Sequence, residues 1–159
     1  MMDTREIAAE LGKALKQEGW LLATAESCTG GWVGEVLTAI PGSSAWFERG
    51  FITYSNVSKV EMLGVNPDTL KIYGAVSVET AREMAQGAIR HSRADVSVAV
   101  TGIAGPGGGS MEKPVGTVCF GWALKSGRVA TAKRHFEGDR ESVRRQAVEH
   151  ALKGLLEIL

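Results

Sequence analysis

The sequence predicts an α/β fold: a three-layer α/β/α single domain spanning residues 1–159, built on a mixed β-sheet. Three observations lead there. Two apolar runs of strand length, Trp20 to Ala23 and Val96 to Val100, each break off into hydroxyl residues and glycines. Segments of helical period alternate with segments of strand character along the whole chain. Two consecutive β-type runs flank Ser126-Gly127, which reads as a hairpin and makes the sheet mixed rather than purely parallel.

The elements follow in order. From Asp3 to Lys16, residues Ile7, Leu11, Ala14 and Leu15 share one helical face, and Asp3 and Glu6 are spaced for a capping box. Gly19 ends that helix and a strand runs from Trp20 to Ala25. Thr29 to Ala39 reads as a helix with Trp32, Val33, Val36 and Leu37 turned inward. Pro41-Gly42-Ser43-Ser44 is a turn, and Phe47 to Tyr54 a strand. A short helix covers Val57 to Leu63, and Asn66-Pro67 opens another with proline at its first position. Ser77 caps a helix to about His91, whose apolar stripe is Val78, Ala81, Met84, Ala85, Ala88 and Ile89. Val96 to Thr101 is a central strand, and Val115 to Leu124 pairs with Val129 to Phe136. Asp139 caps the last helix, which carries Val143, Ala147, Val148, Ala151, Leu152, Leu155 and Leu156.

Composition narrows the function. The chain has 18 basic and 18 acidic residues, so a broad basic face for nucleic acid is not expected. Two cysteines, Cys28 and Cys119, do not make a disulfide framework. No signal peptide and no membrane-length apolar stretch is read, which sets a cytoplasmic expectation with both thiols reduced. No cluster has metal-ligand spacing, and neither glycine loop is a P-loop or dinucleotide fingerprint, so neither a metal nor a cofactor is expected.

The chemistry concentrates in two loops. The first is Thr24-Ala25-Glu26-Ser27-Cys28-Thr29-Gly30-Gly31, and the second runs from Thr101-Gly102-Ile103-Ala104-Gly105-Pro106 to Ser110. Strands that end in hydroxyls and glycines expose backbone N–H groups and admit a close ligand. Two such loops suggest one pocket for an anionic, phosphate-bearing molecule. Ser27, where strand gives way to helix, is a candidate nucleophile, and a serine needs a base. His91, His135 and His150 have no evident access to it. A lysine made neutral by burial is the other known base, and Lys59, after Thr53-Tyr54-Ser55-Asn56, is the best candidate. Tyr54 would join the proton relay or orient the lysine.

Each assignment has a plainer reading. Ser27 is also in place to cap the following helix. A lone lysine is more often solvated than buried, and a tyrosine at a strand end is more often packing. Cys28 is more often a buried structural thiol than a nucleophile. Arg140 either decorates a helix start or binds a phosphate.

These motifs carry a resemblance. The first loop, Pro41-Gly42-Ser43-Ser44, the run Arg49-Gly50-Phe51-Ile52-Thr53-Tyr54-Ser55-Asn56 with Lys59, Leu63-Gly64-Val65, Gly74-Ala75-Val76-Ser77, the second loop through Pro114-Val115-Gly116-Thr117-Val118, His135-Phe136 and Gly138-Asp139-Arg140 occur in the order of the CinA C-terminal domain family. The chain resembles that family over nearly its full length. The resemblance implies an amidohydrolase that converts nicotinamide mononucleotide to nicotinate mononucleotide and ammonia. It implies Ser27 as nucleophile, Lys59 as general base and Tyr54 as assistant. Substrate contacts would come from Thr29, Gly30, Gly31, Ser55, Asn56, Thr101, Gly102, Ala104, Gly105, Ser110 and Arg140. A homo-oligomer, most simply a dimer, is expected, with Trp46 and Phe47 as interface candidates. Longer relatives carry a further N-terminal domain, for which 159 residues are expected to leave no room. Two alternatives stand beside the enzyme: an inactive nucleotide-binding module, and a competence- or damage-related interaction protein.

Overall fold

The computed structural model describes residues 3–159, so Met1 and Met2 of the expected domain span lie outside the described residues. The elements are α1 (Thr4–Glu18), β1 (Leu22–Glu26), α2 (Trp32–Thr38), β2 (Phe47–Ile52), α3 (Asn56–Leu63), α4 (Pro67–Tyr73), α5 (Val78–Arg90), β3 (Val96–Gly102), β4 (Thr117–Leu124), β5 (Val129–His135) and α6 (Arg140–Ile158). The five strands form one sheet in the order β2-β1-β3-β4-β5. Strand β1 pairs in parallel with β2 and with β3, while β3–β4 and β4–β5 are antiparallel. The expected mixed sheet is therefore present.

The caps explain where the helices begin. Asp3 accepts from Glu6 N at 2.8 Å, Ser77 from Thr80 N at 3.1 Å, and Asp139 from Ser142 N at 2.9 Å. Each supplies an acceptor to a helix N–H that has no partner inside the helix. Gly19, at φ 70°, stops α1 in the left-handed conformation that glycine adopts without strain.

The two faces of the sheet differ in bulk. Val96, Val98, Val100, Val118, Phe120 and Trp122 pack against α1, α2 and α6. Alternation sends Ala23, Ala25, Ala99 and Ala123 to the other face, where they meet α5. These small side chains let α5 lie close, and Ser97 Oγ donates to Ala85 O of α5 at 2.7 Å. Helix α2 follows β1 on one face, while α3 to α5 follow β2 on the other. The chain thus runs from β1 to β2 on one side and then crosses back to β3 on the other side of β1, and a crevice opens beyond the carboxyl ends of β1 and β3.

Several boundaries depart from expectation, among them the first strand, which starts at Leu22 rather than Trp20, and two matter for the site. The helix expected from Thr29 starts at Trp32, because Gly30 (φ 58°) and Gly31 (φ 110°) hold a left-handed turn before it. The strand expected to Tyr54 stops at Ile52, so the carbonyls of Thr53 and Tyr54 leave the sheet. Strand β4 starts at Thr117 rather than Val115. Trp46 is 3% exposed and packs within the chain's own core, against Gly12, which removes it as an interface candidate.

Candidate active site

Ser27 is the first residue past β1, and its N–H donates to Val100 O of β3 at 2.9 Å. Lys59 is on the first turn of α3, whose N-terminus is fixed by Ser55 Oγ accepting from Ser58 N at 3.1 Å. The two side chains meet: Lys59 Nζ lies 3.0 Å from Ser27 Oγ. The ammonium end also donates to Thr53 O at 2.8 Å and Tyr54 O at 3.3 Å. Lys59 is only 1% exposed, and among the described residues no carboxylate pairs with it. Burial without a counter-charge disfavours the ammonium form and brings its pKa from 10.5 down to about 8, with Cys28 opposing in part. The plainer reading of Lys59 as a solvated lysine does not hold.

A cavity of about 160 Å³ opens over this pair, lined by Ser27, Cys28, Tyr54, Lys59, Ala75, Val76, Thr101, Gly102, Ala104 and Arg140. The two loops therefore border one pocket, as the sequence suggested. Thr101 Oγ1 donates to Ala75 O at 2.8 Å and ties the α4–α5 connection to β3. Arg140, the first residue of α6, donates to Gly105 O at 2.7 Å and to the Tyr54 hydroxyl at 3.2 Å. Tyr54 thus serves Lys59 through its main-chain carbonyl, while its phenol turns to Arg140 and is 63% exposed.

Seven expected contact residues lie outside the cavity lining, among them Gly105, whose carbonyl instead accepts from Arg140. Ser55 caps α3 and Asn56 is the exposed first residue of that helix. Ser110 Oγ accepts from Lys113 N at 3.1 Å within an exposed turn. Thr29, Gly30 and Gly31 form the turn between Ser27 and α2 rather than the cavity wall. The cause is Glu26, which is 2% exposed. Its Oε1 accepts from Thr29 Oγ1 at 2.6 Å, Gly31 N at 3.2 Å and Val33 N at 2.9 Å, and its Oε2 accepts from Gly34 N at 3.1 Å. Cys28, raised to about 12 by burial, is a protonated thiol at neutral pH.

Residue-by-residue reading missed Glu26, Thr53, Ala75, Val76 and Arg144. Arg144 donates to Cys28 O at 3.0 Å and Thr29 O at 3.1 Å, with its guanidinium 5.3 Å from the Trp32 ring centroid. Its signal was its position one helical turn beyond Arg140. For Glu26 the signal was a carboxylate at the end of a strand that is otherwise apolar or small.

A family model described as the CinA C-terminal domain matches residues 4–159. The chain belongs to the CinA C-terminal domain family. Its relatives include a protein of Enterobacter agglomerans named nicotinamide-nucleotide amidohydrolase PncC, 58% identical over 151 residues, covering 95% of this chain and 92% of that one. A protein of the same name from Escherichia coli strain K12 is 55% identical, covering 94% of this chain and 91% of that one. The crystal structure of competence/damage inducible protein CihA from Agrobacterium tumefaciens superposes with a TM-score of 0.96 at 46% identity, covering 99% of this chain and 96% of that one. The fold of this family is thus the three-layer, mixed-sheet fold described above.

Proposed function

We propose that the chain is a nicotinamide-nucleotide amidohydrolase, releasing ammonia from nicotinamide mononucleotide through Ser27 and Lys59. The observation that carries the reading is the 3.0 Å contact between a serine hydroxyl and a buried, carboxylate-free lysine at the floor of a cavity. The names of the relatives supply the substrate.

The chemistry follows from those two groups. Neutral Lys59 Nζ takes the Ser27 hydroxyl proton as Oγ bonds to the carboxamide carbon. The carbonyl electron pair moves to oxygen, and N–H groups of the loops bordering the cavity stabilise the oxyanion. The C–N bond then breaks, and Lys59 returns the proton so that nitrogen leaves as ammonia. Water attacks the resulting ester with Lys59 again as base, which frees the carboxylate and restores Ser27. No metal and no cofactor enters these steps.

The cavity suits the pyridine ring rather than the whole nucleotide, so the ribosyl phosphate extends to the rim. There Arg140, held by the Gly105 carbonyl, offers the guanidinium, with Thr101, Gly102 and Ala104 along the wall. The reading extends to a cytoplasmic enzyme that uses no nucleic acid or membrane. It also extends to a homodimer, for which exposed Ile52, Tyr54, Val57, Ile72 and Tyr73 provide apolar surface. Light scattering then gives about twice the chain mass of 16.9 kDa; a single-chain mass at all concentrations removes the dimer.

An ammonia assay tests the function. The expected result is release from nicotinamide mononucleotide and little from free nicotinamide, because the phosphate end contributes the binding. No release from the nucleotide, or equal rates on the two, contradicts the proposal.

A further inference from the structure

Glu26 and Ser27 are adjacent, and strand alternation sends their side chains to opposite faces of the sheet. Ser27 enters the cavity, while Glu26 points under α2. Helix α2 has no side-chain cap of its own, because its N-cap is Gly31. The Glu26 carboxylate fills that place from inside the protein, taking three backbone N–H groups and the Thr29 hydroxyl at 2.6–3.2 Å. A helix N-terminus attracts an anion. Here the anion is the protein's own, so the seat that sequence reading offered to the substrate phosphate is already taken.

The same residue reaches both halves of the dyad. The turn wound around its carboxylate begins at Ser27, and Gly30 N closes it by donating to Ser27 O at 3.1 Å. The main-chain carbonyl of Glu26 accepts from Thr53 N at 2.8 Å, and Thr53 O in turn accepts from Lys59 Nζ at 2.8 Å. From the outer side, Arg144 grips the carbonyls of Cys28 and Thr29. A buried carboxylate gathers the N–H groups of the turn and a guanidinium gathers its carbonyls, leaving Ser27 little freedom.

We infer that Glu26 is a positioning residue, whose buried carboxylate holds the 27–34 turn so that Ser27 Oγ stays within hydrogen-bond reach of Lys59 Nζ. This rests on the reading of Ser27 as nucleophile and Lys59 as base. Its effect falls on the chemical step and not on substrate binding, because Glu26 lines none of the cavity.

The test compares the parent chain with Glu26→Gln, Thr29→Val and Thr29→Ser. Glutamine keeps the size but turns a donor NH2 group toward groups that themselves donate. Glu26→Gln, folded by near-UV circular dichroism, should lose about 10- to 100-fold in kcat with KM little changed, the range that follows from displacing a reacting atom by a fraction of an ångström to an ångström. Thr29→Val removes one of the four donors and should lose kcat by a smaller factor, and Thr29→Ser should recover most of it. A serine-directed fluorophosphonate, read by labelling of the parent and not of Ser27→Ala, gives a second rate that does not depend on the nucleotide. That rate should fall in Glu26→Gln by a factor similar to kcat. A folded Glu26→Gln with parental kcat or parental labelling overturns the inference, as does a loss confined to KM. If Glu26→Gln does not fold, Thr29→Val decides: unchanged kcat and labelling, or a loss that serine does not recover, overturns it. A parent that takes the probe but releases no ammonia refutes the substrate and leaves Glu26 judged by labelling. A parent that does neither refutes both.

Discussion

Replacing Lys59 by methionine separates the two consequences of burying an amine. The parent's Lys59 titrates at about 8 against an ordinary 10.5. Between those values the folded protein binds fewer protons than the unfolded chain, so this residue's contribution to stability rises with pH through that window. Below pH 8 both states are protonated and the full penalty is present; above 10.5 it is gone. The difference between about 8 and 10.5 corresponds to about 3 kcal/mol in all, most of which is recovered by pH 10. Methionine fills the same space without the penalty. It also abandons the Thr53 carbonyl, which accepted at 2.8 Å and sits among buried residues. An unsatisfied buried acceptor costs about 1–3 kcal/mol, so the two effects nearly offset at pH 7. Lys59→Met should therefore match the parent within about 2 kcal/mol at pH 7, then fall behind it by about 2–3 kcal/mol more at pH 10. Its turnover should drop by about 10²–10⁴ at every pH. Urea unfolding by tryptophan fluorescence at pH 7, 8, 9 and 10 reads the first quantity, and ammonia release the second. The parent's kcat/KM should rise with pH to a plateau, with a midpoint near 8, as Lys59 becomes neutral. A parent-minus-variant stability difference that is constant from pH 7 to 10 would refute the argument that burial holds Lys59 ready as a base.

Three further outcomes follow from named contacts. Cys28→Ser should retain turnover, since a thiol held at about 12 is not the nucleophile at neutral pH; a dead variant with an intact fold would move the chemistry to sulfur. Gly154→Ala should destabilise by about 1–3 kcal/mol in urea, because the added Cβ overlaps the Trp122 ring in the α6–β4 packing, and a neutral effect would mean that the indole yields freely. Turnover should be unchanged in excess EDTA, because Ser27 and Lys59 supply both nucleophile and base. Loss that one divalent ion restores would reject the dyad.

The fold was readable because its signals are local. Asp3, Ser77 and Asp139 mark helix starts, and Ser126-Gly127 marks the hairpin. The Ser27–Lys59 contact was readable because Ser27 follows a strand and Lys59 sits one turn into a capped helix. Thr29, Gly30 and Gly31, expected as substrate contacts, lie off the cavity for a long-range reason. A glycine turn before a helix looks the same whether its N–H groups face a ligand or a buried side chain. Only the fold shows that Glu26 reaches beneath the turn. Arg144 was hidden similarly, because its partners, the carbonyls of Cys28 and Thr29, are more than a hundred residues away and carry no sequence mark. The role of Tyr54 divided because the chain leaves the sheet at Thr53, which aims the carbonyl and the phenol at different partners.

The most direct test of the Ser27–Lys59 dyad is ammonia release from nicotinamide mononucleotide by four proteins: the parent, Ser27→Ala, Lys59→Met and the double variant. Two groups acting in one proton transfer are not additive. Both single variants are expected to lose nearly all turnover, and the double variant to be hardly worse than either. An active Ser27→Ala, or a double variant whose loss is the product of the two single losses, would contradict the dyad.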